Sequence, residues 1–259
     1  MNKFCFYSQK GGVGKSTLTF NVGYELARLG KKVLIVDADP QGNLSATAAN
    51  NFERTISNVL VKDASLGLAP CSAADAIHET QWKNLSIIPA DRNLALVGTW
   101  LSSSATGITR MKNTMSSITD FDFMLIDSSP TNSLLSWSAI SCINAVIIPV
   151  CAGFYEVLGI GKTLQTVTEL NTDLGLDIKM AGLVLNRWTK NKVAKQLAET
   201  LGNDFPNQIL GTIPEGVKVA EASCRQLPMG LYASDSPIYE SIQSLTKRIM
   251  QWHQIKKVA

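Results

Sequence analysis

Histidine is nearly missing from this chain: 259 residues contain only His78 and His253. That excludes a histidine-rich metal centre and argues against a Ser-His triad. Long apolar runs are missing as well. The longest, Ala145 to Ala152, holds eight residues and includes Pro149, far short of the ~20 that a membrane-spanning helix needs. At the amino terminus only Phe4 to Tyr7 is apolar, so no signal-peptide core is present. The five cysteines (Cys5, Cys71, Cys142, Cys151 and Cys224) form no CxxC pair and are odd in number. They read as buried free thiols in a reducing compartment. No internal repeat or low-complexity linker stands out. The expected location is cytoplasmic.

What is present is ordinary globular composition, with 45% hydrophobic and 17% charged residues. The length suits one large α/β domain over residues 1–259. Net charge is +3 but uneven: residues 1–180 carry 14 Lys and Arg against 15 Asp and Glu, and residues 181–259 carry 10 against 6. A mildly basic C-terminal third suits a polyanionic partner, nucleic acid or anionic lipid; the same charges also suit solvation of helix faces.

Short β-branched runs alternate with longer amphipathic segments. The runs are Lys3–Tyr7, Lys32–Asp37, Leu85–Pro89, Phe121–Asp127, Ala145–Val150, Gly182–Asn186 and Ile209–Ile213. They scarcely alternate in polarity, as expected of strands covered on both faces. Between the first two, Leu18, Val22, Leu26 and Leu29 form one helical stripe that Gly30 ends. The expected fold is α/β: a doubly wound, mostly parallel sheet with helices on both faces. A second stripe, Ile238, Ile242, Leu245, Ile249 and Trp252, has Lys247, Arg248, Lys256 and Lys257 off it. It predicts a helix docked on the core, with a basic helix for DNA or a membrane surface as the alternative.

The most informative segment is Lys10-Gly11-Gly12-Val13-Gly14-Lys15-Ser16-Thr17, between the first strand and the first helix. Glycines there let backbone N–H groups point at phosphate oxygens, and the helix starting at Lys15 adds its positive end. Lys15 is expected to neutralise the β- and γ-phosphates, with the Ser16 hydroxyl on Mg²⁺. The standard loop has glycine at position 9; this chain has Gln9, and a second lysine, Lys10, inside the loop. The second run ends in Asp37-Ala38-Asp39-Pro40-Gln41-Gly42-Asn43, and the fourth in Asp127. Carboxylates at strand C-termini face the ligand crevice of such a sheet.

KGGVGKST resembles the deviant Walker A box of the ParA/MinD family of ATPases, and DxDPQGN resembles its ParA branch. The resemblance implies an α/β P-loop fold, ATP and Mg²⁺ as ligands, and an ATP-dependent homodimer enclosing two nucleotides. Lys10 would cross that interface to the partner's phosphates and stabilise charge on the transferred group, as an arginine finger does. Asp39 would orient the attacking water, and Asp37 would lie closer to the Mg²⁺ shell. Ser16, Asp39 and Asp127 form the implied metal set, with Asp127 on a Walker B strand. Ser128-Ser129-Pro130 stands where the family text is close to DTPP. Ile88-Pro89-Ala90 with Asn93-Leu94 resembles a further strand and helix start. Ile148-Pro149-Val150 with Phe154-Tyr155 and Gly159 is similar to another family stretch. Asn186 and Arg187, then Pro214, match positions that hold the base.

Three outputs compete. One is a partition ATPase whose ATP-bound dimer coats non-specific DNA, nucleoid-associated, until a ParB-like adaptor stimulates hydrolysis. Lys218, Arg225, Lys247 and Arg248 are its candidate phosphate-backbone contacts. The second is a MinD-like membrane-associated regulator of division or positioning; Glu215 after Ile213-Pro214 is a MinD-like string, and Trp252 with Lys256 and Lys257 suits a lipid interface. The third, a reductase-like relative, lacks a cysteine pair placed to hold a cluster. The P-loop begins at residue 10, so the resemblance is to the short partition ATPases without an operator-reading domain.

Overall fold

Neighbouring residues of one strand enter two different cores. In the computed structural model, which describes residues 1–48, 52–153 and 156–255, Phe4 and Phe6 point into one apolar cluster and Cys5 and Tyr7 into the other. Val33 and Ile35 of the next strand join the first cluster, and Leu34 and Val36 the second. Both faces of the sheet are therefore buried, which explains strands without polar alternation.

Among the described residues the strands are β1 (Asn2–Phe6), β2 (Val33–Ala38), β3 (His78–Glu79), β4 (Leu85–Ile88), β5 (Phe123–Ser128), β6 (Ala145–Val150), β7 (Lys179–Trp188) and β8 (Ile209–Pro214). The helices run α1 (Lys15–Arg28), α2 (Asn43–Ala48), α3 (Ile56–Leu60), α4 (Leu94–Ser102), α5 (Arg110–Thr114) and α6 (Leu134–Ser141). They continue with α7 (Glu156–Leu174), α8 (Lys192–Asp204), α9 (Val217–Cys224), α10 (Met229–Tyr232) and α11 (Pro237–Ile255).

The sheet order is β3-β4-β2-β5-β1-β6-β7-β8. Every pairing is parallel except β3 against β4. All seven expected strands are present, and the doubly wound fold is the one observed. After β1 the chain moves out to β2 on one side and later returns to β6 on the other, so β1 ends at a switch point where such sheets bind ligands. The register sets Phe6 beside Asp127 and Asp37 beside Asp127, which gathers two acidic strand ends next to the loop after β1. Pro149 is tolerated inside β6 because β1 pairs only as far as Ile147, so no neighbour on that side needs its N–H.

The C-terminal stripe packs on the core. Ile238, Ile242, Leu245, Ile249 and Trp252 are all buried. Trp252 meets the Phe4 ring edge-on with centroids 5.3 Å apart. The Tyr239 hydroxyl donates to Glu25 of α1 at 2.6 Å, and Arg28 donates twice to the same carboxylate at 2.8 Å. The apolar face on which a lipid-binding reading depends is thus occupied. Lys256 and Lys257, like Phe154 and Tyr155, lie outside the described residues. No described helix is long and apolar enough to cross a membrane.

The cysteines are all free thiols, but not all buried. Cys5 and Cys142 are enclosed, and burial pushes the Cys5 thiol up to about 12. Cys71 and Cys151 are half-buried, and Cys224 is exposed at the end of α9, a short helix whose one buried residue is Ala222. The expectation of five buried thiols is corrected to that extent.

Candidate functional site

The loop from Ser8 to Gly14 turns back over the start of α1. Gly14 caps that helix in the left-handed region, at φ 91°. A Cβ there would sit 2.2 Å from Asn186 Nδ2, so both conformation and space require glycine. Asn186, near the end of β7, donates through Nδ2 to the Val13 carbonyl at 2.7 Å. The residue implied to read the base therefore also fastens the phosphate loop. Arg187 follows in the left-handed region at φ 51°, and its guanidinium binds Glu215 Oε1 at 3.0 Å.

The two loop lysines have different surroundings. Lys15 is 7% exposed, and its Nζ donates to the carbonyls of Ser8 at 3.2 Å and Lys10 at 3.1 Å. Burial lowers its pKa, opposed by the Asp127 and Asp39 carboxylates. Lys10 is exposed on the outside of the loop. Gly11 and Gly12 are exposed with it, Val13 is buried, and Ser16 and Thr17 are half-buried in the first turn of α1.

The three carboxylates differ more than the sequence suggests. Asp37 is well satisfied: Oδ2 accepts from Ser45 N at 2.8 Å and Ser45 Oγ at 2.7 Å, and Oδ1 accepts from Asp39 N at 3.1 Å. Asp39 Oδ1 accepts from Gln41 N at 3.0 Å, which shapes the turn through Pro40. Asp127 is fully buried, and neither carboxylate oxygen has a hydrogen bond of normal geometry. Burial and the nearby Asp37 raise its pKa well above the ordinary value, while the adjacent Ser16 hydroxyl and Lys15 favour the ion. A buried carboxylate without a partner, beside a hydroxyl and a phosphate-binding loop, fits a hard divalent cation completed by phosphate and water oxygens. Burial also raises Asp37, to about 6. Asp37, expected closer to the Mg²⁺ shell than Asp39, already accepts three hydrogen bonds, whereas Asp127 of the implied metal set is the unsatisfied acid.

Beside the loop lies a cleft of about 890 Å³. Gly12, Gly14, Asn186, Arg187, Pro214 and Glu215 line its loop side, and Ile238 and Ile242 of α11 its floor. All three residues implied to hold the base meet there.

The candidate phosphate-backbone cations do not form one patch. All four are exposed. Lys218 and Arg225 belong to α9 and its cap, just beyond the C-terminal end of β8, and Arg225 stacks on Tyr232 at 5.5 Å. Arg248 donates to the carbonyl of Ile209 at the opposite end of β8, 2.8 Å away, and Lys247 precedes it. The strand between them spans roughly 16 Å. Reading by residue type missed Lys190, Lys192 and Lys195, which are exposed around the start of α8 at the C-terminal edge. Their signal was a run of lysines directly after the Asn186-Arg187 strand end. Ser45 was also missed; its signal was a hydroxyl two residues after the DPQGN string.

A family model described as an AAA domain, AAA_31, matches residues 1–180. The chromosome partitioning protein ParA of Caulobacter vibrioides is 31% identical over 230 residues, covering 87% of this chain and 85% of that protein. The sporulation initiation inhibitor protein Soj of Bacillus subtilis is 31% identical over 248 residues, covering 93% and 95%. Among solved structures, apo McdA of Cyanothece superposes with a TM-score of 0.85 at 25% identity, covering 96% of this chain and 99% of that one. With the phosphate loop, its second lysine and the acidic strand ends in one place, this chain belongs to the ParA/MinD family of deviant Walker A ATPases.

Proposed function

We propose that this ATPase works as a partition-type positioning enzyme, with residues 1–259 acting as one P-loop domain. ATP binding with Mg²⁺ drives a homodimer that holds non-specific DNA. Hydrolysis to ADP and phosphate, stimulated by a ParB-like adaptor, releases it, and the cargo carried is a plasmid, a chromosome or a protein organelle. The observation that carries this reading is the contrast between the two loop lysines: Lys15 is folded into its own loop, and Lys10 is displayed on the outside. A cation in the second position serves phosphates approached from another subunit.

In this reading Gly11 to Thr17 cradle the phosphates, and Lys15 offsets their charge. Asn186, Arg187 and Pro214 hold the base. Ser16 and Asp127, with Asp39 nearby, would hold Mg²⁺, which would offset phosphate charge when bound. Asp39 orients the attacking water, and Lys10 stabilises the charge that develops on the partner's transferred group. Lys190, Lys192, Lys195, Lys218 and Arg225 supply exposed positive charge at the C-terminal edge, and a two-fold dimer doubles it.

The test is co-sedimentation of the Asp39→Ala protein, with ATP and Mg²⁺, against non-specific duplex DNA and anionic liposomes in parallel. ATP-dependent DNA binding that weakens steeply with salt supports the proposal. Binding to liposomes alone replaces it with the membrane-regulator reading.

A further inference from the structure

Ser45 stands at the centre of a buried hydrogen-bond relay that the nucleotide-binding residues do not account for. Its side chain is 5% exposed, in the first turn of α2. The hydroxyl donates to Asp37 Oδ2 at 2.7 Å and accepts from the Ala90 backbone N–H, just past β4, at 2.8 Å. The Ser45 backbone N–H adds a second bond to the same oxygen at 2.8 Å. Asp37 in turn accepts from Asp39 N through its other oxygen at 3.1 Å. One hydroxyl thus ties the end of β2 and the start of α2 to the end of β4, some 45 residues further along the chain.

The direction of the relay matters. Asp39 sits on a turn, one residue past β2, and its carboxylate also serves that turn through Gln41 N. Its backbone N–H is held by Asp37 while its carbonyl accepts from Gly42 N at 2.9 Å, and the Asp37 carboxylate is oriented by Ser45. A hydroxyl that both donates and accepts fills this place; an aliphatic group leaves the Ala90 N–H buried without a partner and removes one of the three hydrogen bonds that orient Asp37.

We propose that Ser45 is a positioning residue for hydrolysis: through Asp37 it sets the placement of Asp39 against the attacking water. This rests on the role given to Asp39 above. Ser45 does not line the cleft beside the phosphate loop, so its loss lowers turnover and leaves ATP affinity alone.

Ser45→Thr and Ser45→Val are nearly isosteric and differ in the hydroxyl, so their ratio reads that group without the added methyl. In the full chain we expect the Val variant to turn over about tenfold or more slowly than the Thr variant, the scale of one lost hydrogen bond in a positioned site. ATP affinity, measured by titration with a fluorescent ATP analogue, should agree between the two within about twofold. If neither β-branched side chain is accommodated, Ser45→Ala against the parent makes the same comparison. The decisive readout is the Asp39→Ala background, with residual phosphate release followed by radiolabel. There the Thr and Val variants should release phosphate equally, because Ser45 acts through Asp39. Equal turnover of Thr and Val variants with Asp39 intact, while Asp39→Ala stalls, overturns this proposal alone. The same fold-loss in both backgrounds also overturns it, by assigning Ser45 a general structural role. Turnover of Asp39→Ala at the parent's rate overturns the Asp39 reading and this proposal with it.

Discussion

Tyr239→Phe offers a clean measure of how firmly the phosphate-loop helix is held. Tyr239 is 5% exposed and Glu25 1% exposed, and the bond between them is 2.6 Å long. Phenylalanine keeps the ring, so no cavity opens and only the hydroxyl is lost. A buried hydrogen bond to a charged group contributes about 1.5–3 kcal/mol. Arg28 retains both of its bonds to Glu25, so the carboxylate is not orphaned and the loss should lie near ~2 kcal/mol. For a chain of this size that corresponds to a fall in Tm of roughly 4–8 °C. Urea unfolding at pH 7 should show a lower midpoint with an unchanged slope. The effect has a pH signature. Burial opposes ionisation of Glu25, but the bonds from Arg28 and Tyr239 outweigh it and hold its pKa below the ordinary 4.5. A depressed acid stabilises the fold above its unfolded pKa, and that contribution fades as pH falls through the folded value. The gap between parent and variant should therefore be widest near neutrality and narrow in acid. A loss under about 0.5 kcal/mol at pH 7, or one of equal size in acid, would refute the reasoning.

Other substitutions separate the parts of the site. Lys15→Ala should abolish ATP binding in a fluorescent-nucleotide titration, whereas Lys10→Ala should keep binding but lose ATP-dependent dimers in analytical ultracentrifugation. Normal dimers in the Lys10 variant would remove the cross-interface role. Gly14→Ala places a Cβ against Asn186 and adds left-handed strain of about 1–3 kcal/mol, so ATP affinity should fall by at least about tenfold. Mg²⁺ removal by EDTA should weaken ATP binding in the parent but change little in Asp127→Ala, which no longer has the unsatisfied carboxylate; equal sensitivity in both would move the metal away from Asp127.

Much of this was legible in sequence because it is periodic or local. The seven longer strands are apolar runs bounded by turn residues, and α1 shows its stripe and its stop at Gly30. β3 was not legible: two residues, His78 and Glu79, have no period, and only their pairing to β4 makes them a strand. β7 extends several residues past the expected Gly182–Asn186 at both ends, where polar Lys179 and Arg187 mask it. Within the site, residue types marked Asp37, Asp39 and Asp127 alike as acids at strand ends. Their difference depends on Ser45 folding back eight residues to satisfy one of them, and on Asp127 being left without a hydrogen bond. Charge counting likewise grouped Lys218 and Arg225 with Lys247 and Arg248, although β8 holds the pairs at opposite ends.

The bond from Asn186 to Val13 has a consequence for how the enzyme tells ATP from ADP. It ties the end of β7 to the inner half of the phosphate loop. Under the base-holding role proposed for Asn186, that joint is the part of the site that ATP and ADP share. The opposite flank is held differently: Asp39 lies on a turn, and Ser129, Thr131 and Ser133 hold one another through hydroxyl contacts of 3.0 and 3.3 Å. Hydroxyl pairs exchange for water or phosphate far more easily than strand ladders do. The molecule thus sets a wall fixed by an amide-to-backbone bond against one held by exchangeable hydroxyl contacts.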